Sequence, residues 1–304
     1  MSGTARIGDV GISPLGLGTM SLTGRGTWGE PADPAAARAL LRRAADLGVE
    51  LFDTADSYGP EVAENLVREA LHPYDGLLIA TKGGFRRHGP HEWEADCRPE
   101  SLRAACESSL RRLDVERIDL YQLHLVDPRV PVEDSVGALA ELREEGKIRE
   151  IGVCNVGVVQ LERARRVTAV VSVQNRFSLA ERSSTSVLAR CTEDGLAFIA
   201  WAPLAKGFLS RASGALASVG RAHGATPGQV ALAWAIRHGA FPIPGTASVA
   251  HLEENARALA VELTDEEAAS LERDSLLGYR AKRLVRKARA RAGRLKAGVR
   301  RIGR

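Results

Sequence analysis

Short apolar runs alternate with amphipathic stretches along most of the chain. The runs cover residues 15–19, 49–53, 77–82, 118–124, 148–154, 170–174, 196–201 and 241–244. Each is four to seven residues long and rich in Val, Ile or Leu, as strands buried on both faces are. Between them the apolar spacing turns helical, as in Ala35, Ala39, Leu40, Ala44 and Leu47 before Gly48, and in Leu102, Ala105, Cys106, Leu110 and Leu113. Helix starts are marked by Pro34, Pro99, Pro131 and the string Thr226-Pro227-Gly228-Gln229, with Thr at the cap, Pro in the first turn and Gln positioned to bond back. A strand followed by a helix, eight times over about 250 residues, predicts an α/β fold: a (β/α)8 TIM barrel. Residues 6–13, with Gly8-Asp9 as the turn, add a short N-terminal β-hairpin.

The competing architecture is a doubly wound sheet with a phosphate loop after its first strand. Gly24-Arg25-Gly26-Thr27-Trp28-Gly29 matches G-x-G-x-x-G in letters. That fingerprint must run directly from a strand into a helix, whereas here residues 20–23 intervene and Pro31 and Pro34 delay the helix. The segment is expected to be a flexible loop on the barrel mouth.

Charge divides the chain. Residues 280–304 hold twelve Lys or Arg and no acid, which leaves 30 bases against 38 acids, a balance of −8, over residues 1–279. The domain reading is therefore a barrel over 1–279 and a basic C-terminal extension over 280–304, helical or disordered, suited at most to weak polyanion binding. The N-terminus lacks the apolar core of a secretory signal, and the most apolar stretch, 196–205, is about half of the ~20 residues a membrane helix needs. A cytoplasmic protein is expected. Cys97, Cys106, Cys154 and Cys191 lack metal-ligand spacing and are expected to be free thiols, with no metal bound.

Chemistry in such a barrel sits at the C-terminal strand ends. Asp53, Lys82, His124, Asn155 and Gln174 all fall at or just beyond the ends of successive apolar runs. One alone would be a cap or a turn residue; five in order ask for a common reason.

Asp53-Thr54-Ala55-Asp56-Ser57-Tyr58-Gly59, Ala80-Thr81-Lys82 and Leu120-Tyr121-Gln122-Leu123-His124 resemble the Asp/Tyr, Lys and His motifs of the aldo-keto reductase family. Residues 151–155, 173–175, 203–207 and 243–246 through Glu254-Asn255 are similar to its cofactor segments in order, so the likeness spans about residues 6–275. Tyr58-Gly59-Pro60, 68–71 and 248–252 look nearest to the bacterial pyridoxal reductase-like branch.

The resemblance implies NAD(P)H-dependent reduction of an aldehyde or ketone, such as an aromatic aldehyde of the pyridoxal kind. Tyr58 would be the general acid, beside Lys82 and Asp53. A nearby ammonium favours phenolate, and a carboxylate keeps that ammonium charged. His124 would bond the substrate carbonyl. The cofactor set carried over is Cys154, Asn155, Gln174, Trp201, Pro203, Leu204, Lys206, Gly207, Gly245, Thr246, Ser248, His251, Glu254 and Asn255. Asn155 and Gln174 match the donor and acceptor of a nicotinamide carboxamide, and Trp201 offers a face for stacking.

The family usually carries Tyr at 201 and Ser at 154 and 202, where this chain has Trp201, Cys154 and Ala202. Family habit favours NADP, yet 245, 248 and 251 hold no Lys or Arg, so the 2′-phosphate would fall to Thr246, Ser248, His251 and backbone N–H groups, with NAD the alternative. The substrate pocket is expected from Trp28, Tyr58, Phe85, Trp93 and His124, with His88 and His91 in the same loops. The family also contains potassium-channel β-subunits, so a nucleotide-sensing regulatory subunit with slow turnover is the alternative function.

Overall fold

A computed structural model describes residues 5–274. Ala5–Ile7 (β1) and Val10–Ile12 (β2) pair antiparallel around Gly8, which has a positive φ of 59°. The body then runs through Gly16–Gly18 (β3), Pro34–Asp46 (α1), Leu51–Asp53 (β4), Val62–Leu71 (α2) and Leu78–Gly83 (β5). A second hairpin, Phe85–Gly89 (β6) with Glu92–Ala95 (β7), precedes Pro99–Leu113 (α3), Ile118–Leu123 (β8), Val132–Glu144 (α4), Ile148–Cys154 (β9) and Val158–Val167 (α5). Ser172–Arg176 (β10), Thr185–Glu193 (α6), Ala197–Trp201 (β11), Ala215–Ala222 (α7), Pro227–Arg237 (α8), Ala240–Pro242 (β12) and Val249–Ala256 (α9) follow, with a last helix over 265–274.

Eight strands lie parallel in the order β3-β4-β5-β8-β9-β10-β11-β12. The ring closes by packing rather than by a hydrogen-bonded ladder. β3 approaches the segment after β12 so closely that a Cβ on Gly16 would lie 2.9 Å from Ile243 Cγ2, and one on Gly18 3.1 Å from the Ile243 carbonyl. Only a glycine strand fits that seam.

The period-2 rule sorts the strands. Leu17, Phe52, Ile79, Tyr121, Leu123, Val153, Val173 and Phe198 join the layer between strands and helices. Their neighbours Leu51, Leu78, Ala80, Leu120 and Ile199 point the other way and pack with Ile7 and Ile12 of the first hairpin, which plugs the floor of the barrel. Continuing that inward parity up each strand reaches Asp53, Lys82, Gln122, His124 and Gln174, so the apolar interior turns polar at the C-terminal mouth.

The helix starts follow the sequence signals. Asp33 caps α1 through the Ala36 N–H, and Thr226 and Gln229 bond reciprocally at α8, a capping arrangement contributing about 1 kcal/mol. The four cysteines are buried free thiols. Among the described residues no helix is long and apolar enough to cross a membrane, and no group of three or more His, Cys, Asp or Glu is placed to hold a metal ion. The basic 280–304 segment, and the domain boundary drawn at its start, lie outside the described residues.

Candidate active site

A cavity of about 630 Å³ opens at the C-terminal strand ends, within the range of small-molecule sites. At its floor Lys82 Nζ uses all three donors: on Asp53 Oδ2 at 2.7 Å, on the Thr54 carbonyl at 2.7 Å and on the Tyr58 hydroxyl at 3.4 Å. β4 and β5 place the first two side chains, and Tyr58 returns to them from the β4–α2 loop. The Tyr58 ring stands edge-on to His124, centroids 5.8 Å apart. Lys82 is 0% exposed, so its charge persists only because the carboxylate is in contact. Asp53 Oδ1 accepts the amides of Gln174 at 2.6 Å and Gln122 at 3.2 Å.

Gln122 was not among the residues expected from sequence, although it sits two positions before His124 and so shares its inward face. Gly152 makes room for it: a Cβ there would meet Gln122 Cγ at 2.9 Å and Ser172 Oγ at 2.5 Å.

Burial is the largest single influence and pushes Lys82 down, but the Asp53 carboxylate, Tyr58 and Cys154 together outweigh it, and the ammonium is held well above its ordinary pKa. Burial pushes the Tyr58 phenol up to about 12. Lys82 does draw it downward, as expected, but desolvation wins and the net direction is upward. His124 is held well below the ordinary imidazole range, first by burial and then by the Lys82 ammonium, so it is neutral at physiological pH. Its Nδ1 is buried without a hydrogen-bond partner. The ring itself lines the cavity, within reach of a ligand bound there.

The wall brings together most of the expected set: Asn155, Gln174, Trp201, Pro203, Leu204, Lys206, Gly207, Gly245, Thr246, His251, Glu254 and Asn255, along with Tyr58, Phe85, Trp93 and His124. Asn155 adopts a positive φ of 58°, a conformation its type tolerates. Its amide donates to the His124 carbonyl at 2.9 Å and accepts the Trp201 indole N–H at 3.0 Å, which fixes the indole on the wall.

Three expected residues are elsewhere. Cys154 is buried in the barrel interior, its Sγ 3.6 Å from Gln122 Oε1, because it ends β9 pointing inward and below the mouth. Ser248 caps α9, accepting the His251 N–H, and its own N–H bonds Thr246 Oγ1, so two of the backbone donors expected for a phosphate are already taken. Trp28 bridges to Gly59 and does not line the cavity. The 24–29 loop, expected to be flexible, is tied to Gly59 through the Gly29 N–H and closed by Gly24 N–H to Gly29 O at 2.9 Å.

Met20, Ser21, Ser210 and Arg211 line the cavity without having been expected. Arg211 lies in a one-turn 3-10 helix, Leu209–Arg211, ten residues beyond the end of β11, where no strand-end argument reaches. His88, on the β6–β7 hairpin, turns to Glu94 at 2.7 Å, away from the pocket.

Residues 14–274 match the model of the aldo/keto reductase family. An uncharacterized oxidoreductase of Schizosaccharomyces pombe is 45% identical over 275 residues, 90% of each chain. Pyridoxine 4-dehydrogenase of Escherichia coli is 38% identical over 280 residues, 89% of this chain and 98% of that one, in keeping with the likeness to a pyridoxal reductase-like branch. A Klebsiella pneumoniae aldo-keto reductase solved with NADPH superposes with a TM-score of 0.77 at 31% identity, over 90% of this chain and 95% of that one. Barrel order, the polar floor of the cavity and these similarities agree: the chain belongs to the aldo/keto reductase family, whose members are oxidoreductases.

Proposed function

We propose that the protein reduces an aldehyde or ketone with NADPH, Tyr58 delivering the proton. The observation that carries this reading is the Lys82 ammonium spread over Asp53, the Thr54 carbonyl and the Tyr58 hydroxyl at the base of a ligand-sized cavity. When bound, a reduced nicotinamide supplies the hydride that such a reduction requires. Trp201 offers it a face to stack on, and Gln174, with Asn155 beside it, amide groups to meet its carboxamide.

His124, neutral and on the cavity wall, donates an N–H to the carbonyl oxygen and stabilises charge as it develops there. Tyr58 then transfers its hydroxyl proton to that oxygen, giving the alcohol. The resulting phenolate is stabilised by Lys82, which Asp53 keeps charged. A phenol with a pKa near 12 is fully loaded at neutral pH and is still a stronger acid than the alcohol it forms, so the transfer runs downhill.

NADP is favoured over NAD. Positions 245, 248 and 251 supply no fixed cation, but exposed Lys206 and Arg211 face the same cavity as Thr246 and His251 and bring the positive charge a 2′-phosphate calls for. Phe85 and Trp93 make an apolar wall beside Tyr58 and suit an aromatic aldehyde such as pyridoxal, the substrate class suggested by the dehydrogenase relative.

A cofactor-oxidation screen with pyridoxal, an aromatic aldehyde and a diketone, run with NADPH and NADH, tests the proposal. Turnover with at least one carbonyl, faster with NADPH, is expected. Tight NADPH binding with no turnover on any carbonyl would replace it with the nucleotide-sensing regulatory role.

A further inference from the structure

Arg87 stands half-buried on β6, beside the loop that carries Tyr58. A guanidinium has five N–H groups, and here each meets a backbone carbonyl. Nε donates to Glu92 O at 2.8 Å. One terminal nitrogen donates to Thr27 O at 2.9 Å and Ser57 O at 2.7 Å, the other to Gly26 O at 3.1 Å and Gly89 O at 3.3 Å. Its face lies 3.7 Å over the Trp93 ring. Burial pulls its pKa down with no carboxylate beside it to oppose the effect, so the charge is held by carbonyl dipoles and aromatic faces alone.

The segments joined are not neighbours in sequence: the 24–29 loop, the hairpin's own turn and the loop that carries Tyr58. The Ser57 carbonyl belongs to the peptide unit immediately before Tyr58, so this bond fixes the plane from which the phenol projects. Trp93, held beneath the guanidinium, meets Tyr58 edge-on at 6.5 Å and Phe85 at 5.2 Å, and Phe85 reaches His124 at 4.8 Å. A single side chain thus braces the expected proton donor and the aromatic wall together.

We infer that Arg87 is a positioning residue, aiming the Tyr58 hydroxyl through the Ser57 carbonyl and setting the Trp93 wall against which a bulky carbonyl compound packs. This rests on the proposed role of Tyr58. Lysine cannot substitute, because three donors on one point cannot span five carbonyls in three segments.

The test compares Arg87→Lys and Arg87→Gln with Tyr58→Phe, using NADPH with an aromatic and a small aliphatic aldehyde, and NADPH affinity read by protein fluorescence. Displacing a reacting group by about 1 Å costs up to roughly a hundredfold in rate. Both Arg87 variants are therefore expected to lose kcat, by roughly tenfold to a hundredfold, on both aldehydes, to raise KM for the aromatic one selectively, and to bind NADPH as the wild type does. If Arg87→Gln does not fold, Arg87→Lys, which keeps the charge and the stem over Trp93, carries the test. Unchanged kcat and KM in Arg87→Lys beside an inactive Tyr58→Phe would overturn the inference and leave the proposed function standing; so would weakened NADPH binding that accounts for the loss. A fully active Tyr58→Phe would instead defeat the underlying reading.

Discussion

Replacing Asp53 by Asn keeps the shape of the floor and removes its charge. Three donors converge on this one side chain: Lys82 at 2.7 Å on Oδ2, and Gln174 and Gln122 at 2.6 and 3.2 Å on Oδ1. An amide offers one oxygen, so an N–H₂ group must face either an ammonium or two amides. Lys82, 0% exposed, keeps the Thr54 carbonyl and the Tyr58 hydroxyl and, in either orientation, no carboxylate. Breaking a buried pair by removing one partner costs about 3–5 kcal/mol, largely from the stranded charge. For a chain of this size that corresponds to a fall in Tm of roughly 6–10 °C.

The pH dependence follows with a definite sign. In the wild type the raised Lys82 pKa stabilises the fold fully below the unfolded lysine value of about 10.4, and that stabilisation is lost only as pH rises through the folded value. In Asp53→Asn burial is left to push Lys82 down, so the folded protein prefers the neutral amine and gains stability as pH rises toward the unfolded value. The difference in Tm between the two proteins should narrow from pH 7 to 10. Thermal unfolding followed by circular dichroism measures it. A variant within about 0.5 kcal/mol of wild type at pH 7, a range normal for surface changes, would refute the claim that the pair is a buried ionic contact whose partner cannot be spared.

With Tyr58 pushed up to about 12, the proton donor stays loaded across the accessible alkaline range, so kcat/KM for reduction should show no limb from this group between pH 7 and 10. An alkaline limb near pH 8 or 9 that is absent from Tyr58→Phe would contradict this. Arg211→Ala, removing a cation from the cavity wall, should weaken NADPH binding by roughly tenfold, the scale of one charged contact of about 1.5 kcal/mol, and weaken NADH much less. Isothermal titration with both nucleotides checks this, and equal losses would remove Arg211 from 2′-phosphate recognition.

Much of this architecture can be read from alternation. The eight apolar runs correspond to the eight strands because both faces of each are buried, one against helices and one inside the barrel, and Asp53, Lys82, His124 and Gln174 stand out as polar residues where apolar parity should continue. Gln122 obeys the same parity but lies inside the 118–124 run, one inward position below His124, so only its placement opposite Gly152 reveals it. The β6–β7 hairpin escaped because its partners are exposed and charged. Phe85 to Gly89 and Glu92 to Ala95 flank a Pro90-His91 turn and carry only two large apolar side chains, Phe85 and Trp93, among charged ones, so the stretch reads as loop until Arg87 is seen binding it to two other segments. Trp28 looked like a pocket aromatic by composition; its bridge to Gly59 is a long-range backbone pairing that residue type does not encode. The departures at 154 and 201 resolve differently. Cys154 turns inward and leaves the cavity wall, whereas Trp201 stays on it, fixed by Asn155.

The most direct test of the central claim is a single-turnover experiment in which enzyme saturated with NADPH is mixed rapidly with an aromatic aldehyde and the loss of nicotinamide fluorescence is followed in the wild type and in Tyr58→Phe. Cofactor oxidation is expected in the wild type and a rate roughly 10²- to 10⁴-fold lower in the variant, the usual contribution of a positioned general acid, with NADPH affinity unchanged. Equal rates in the two proteins, or a wild type that holds NADPH without oxidising it, would contradict that claim.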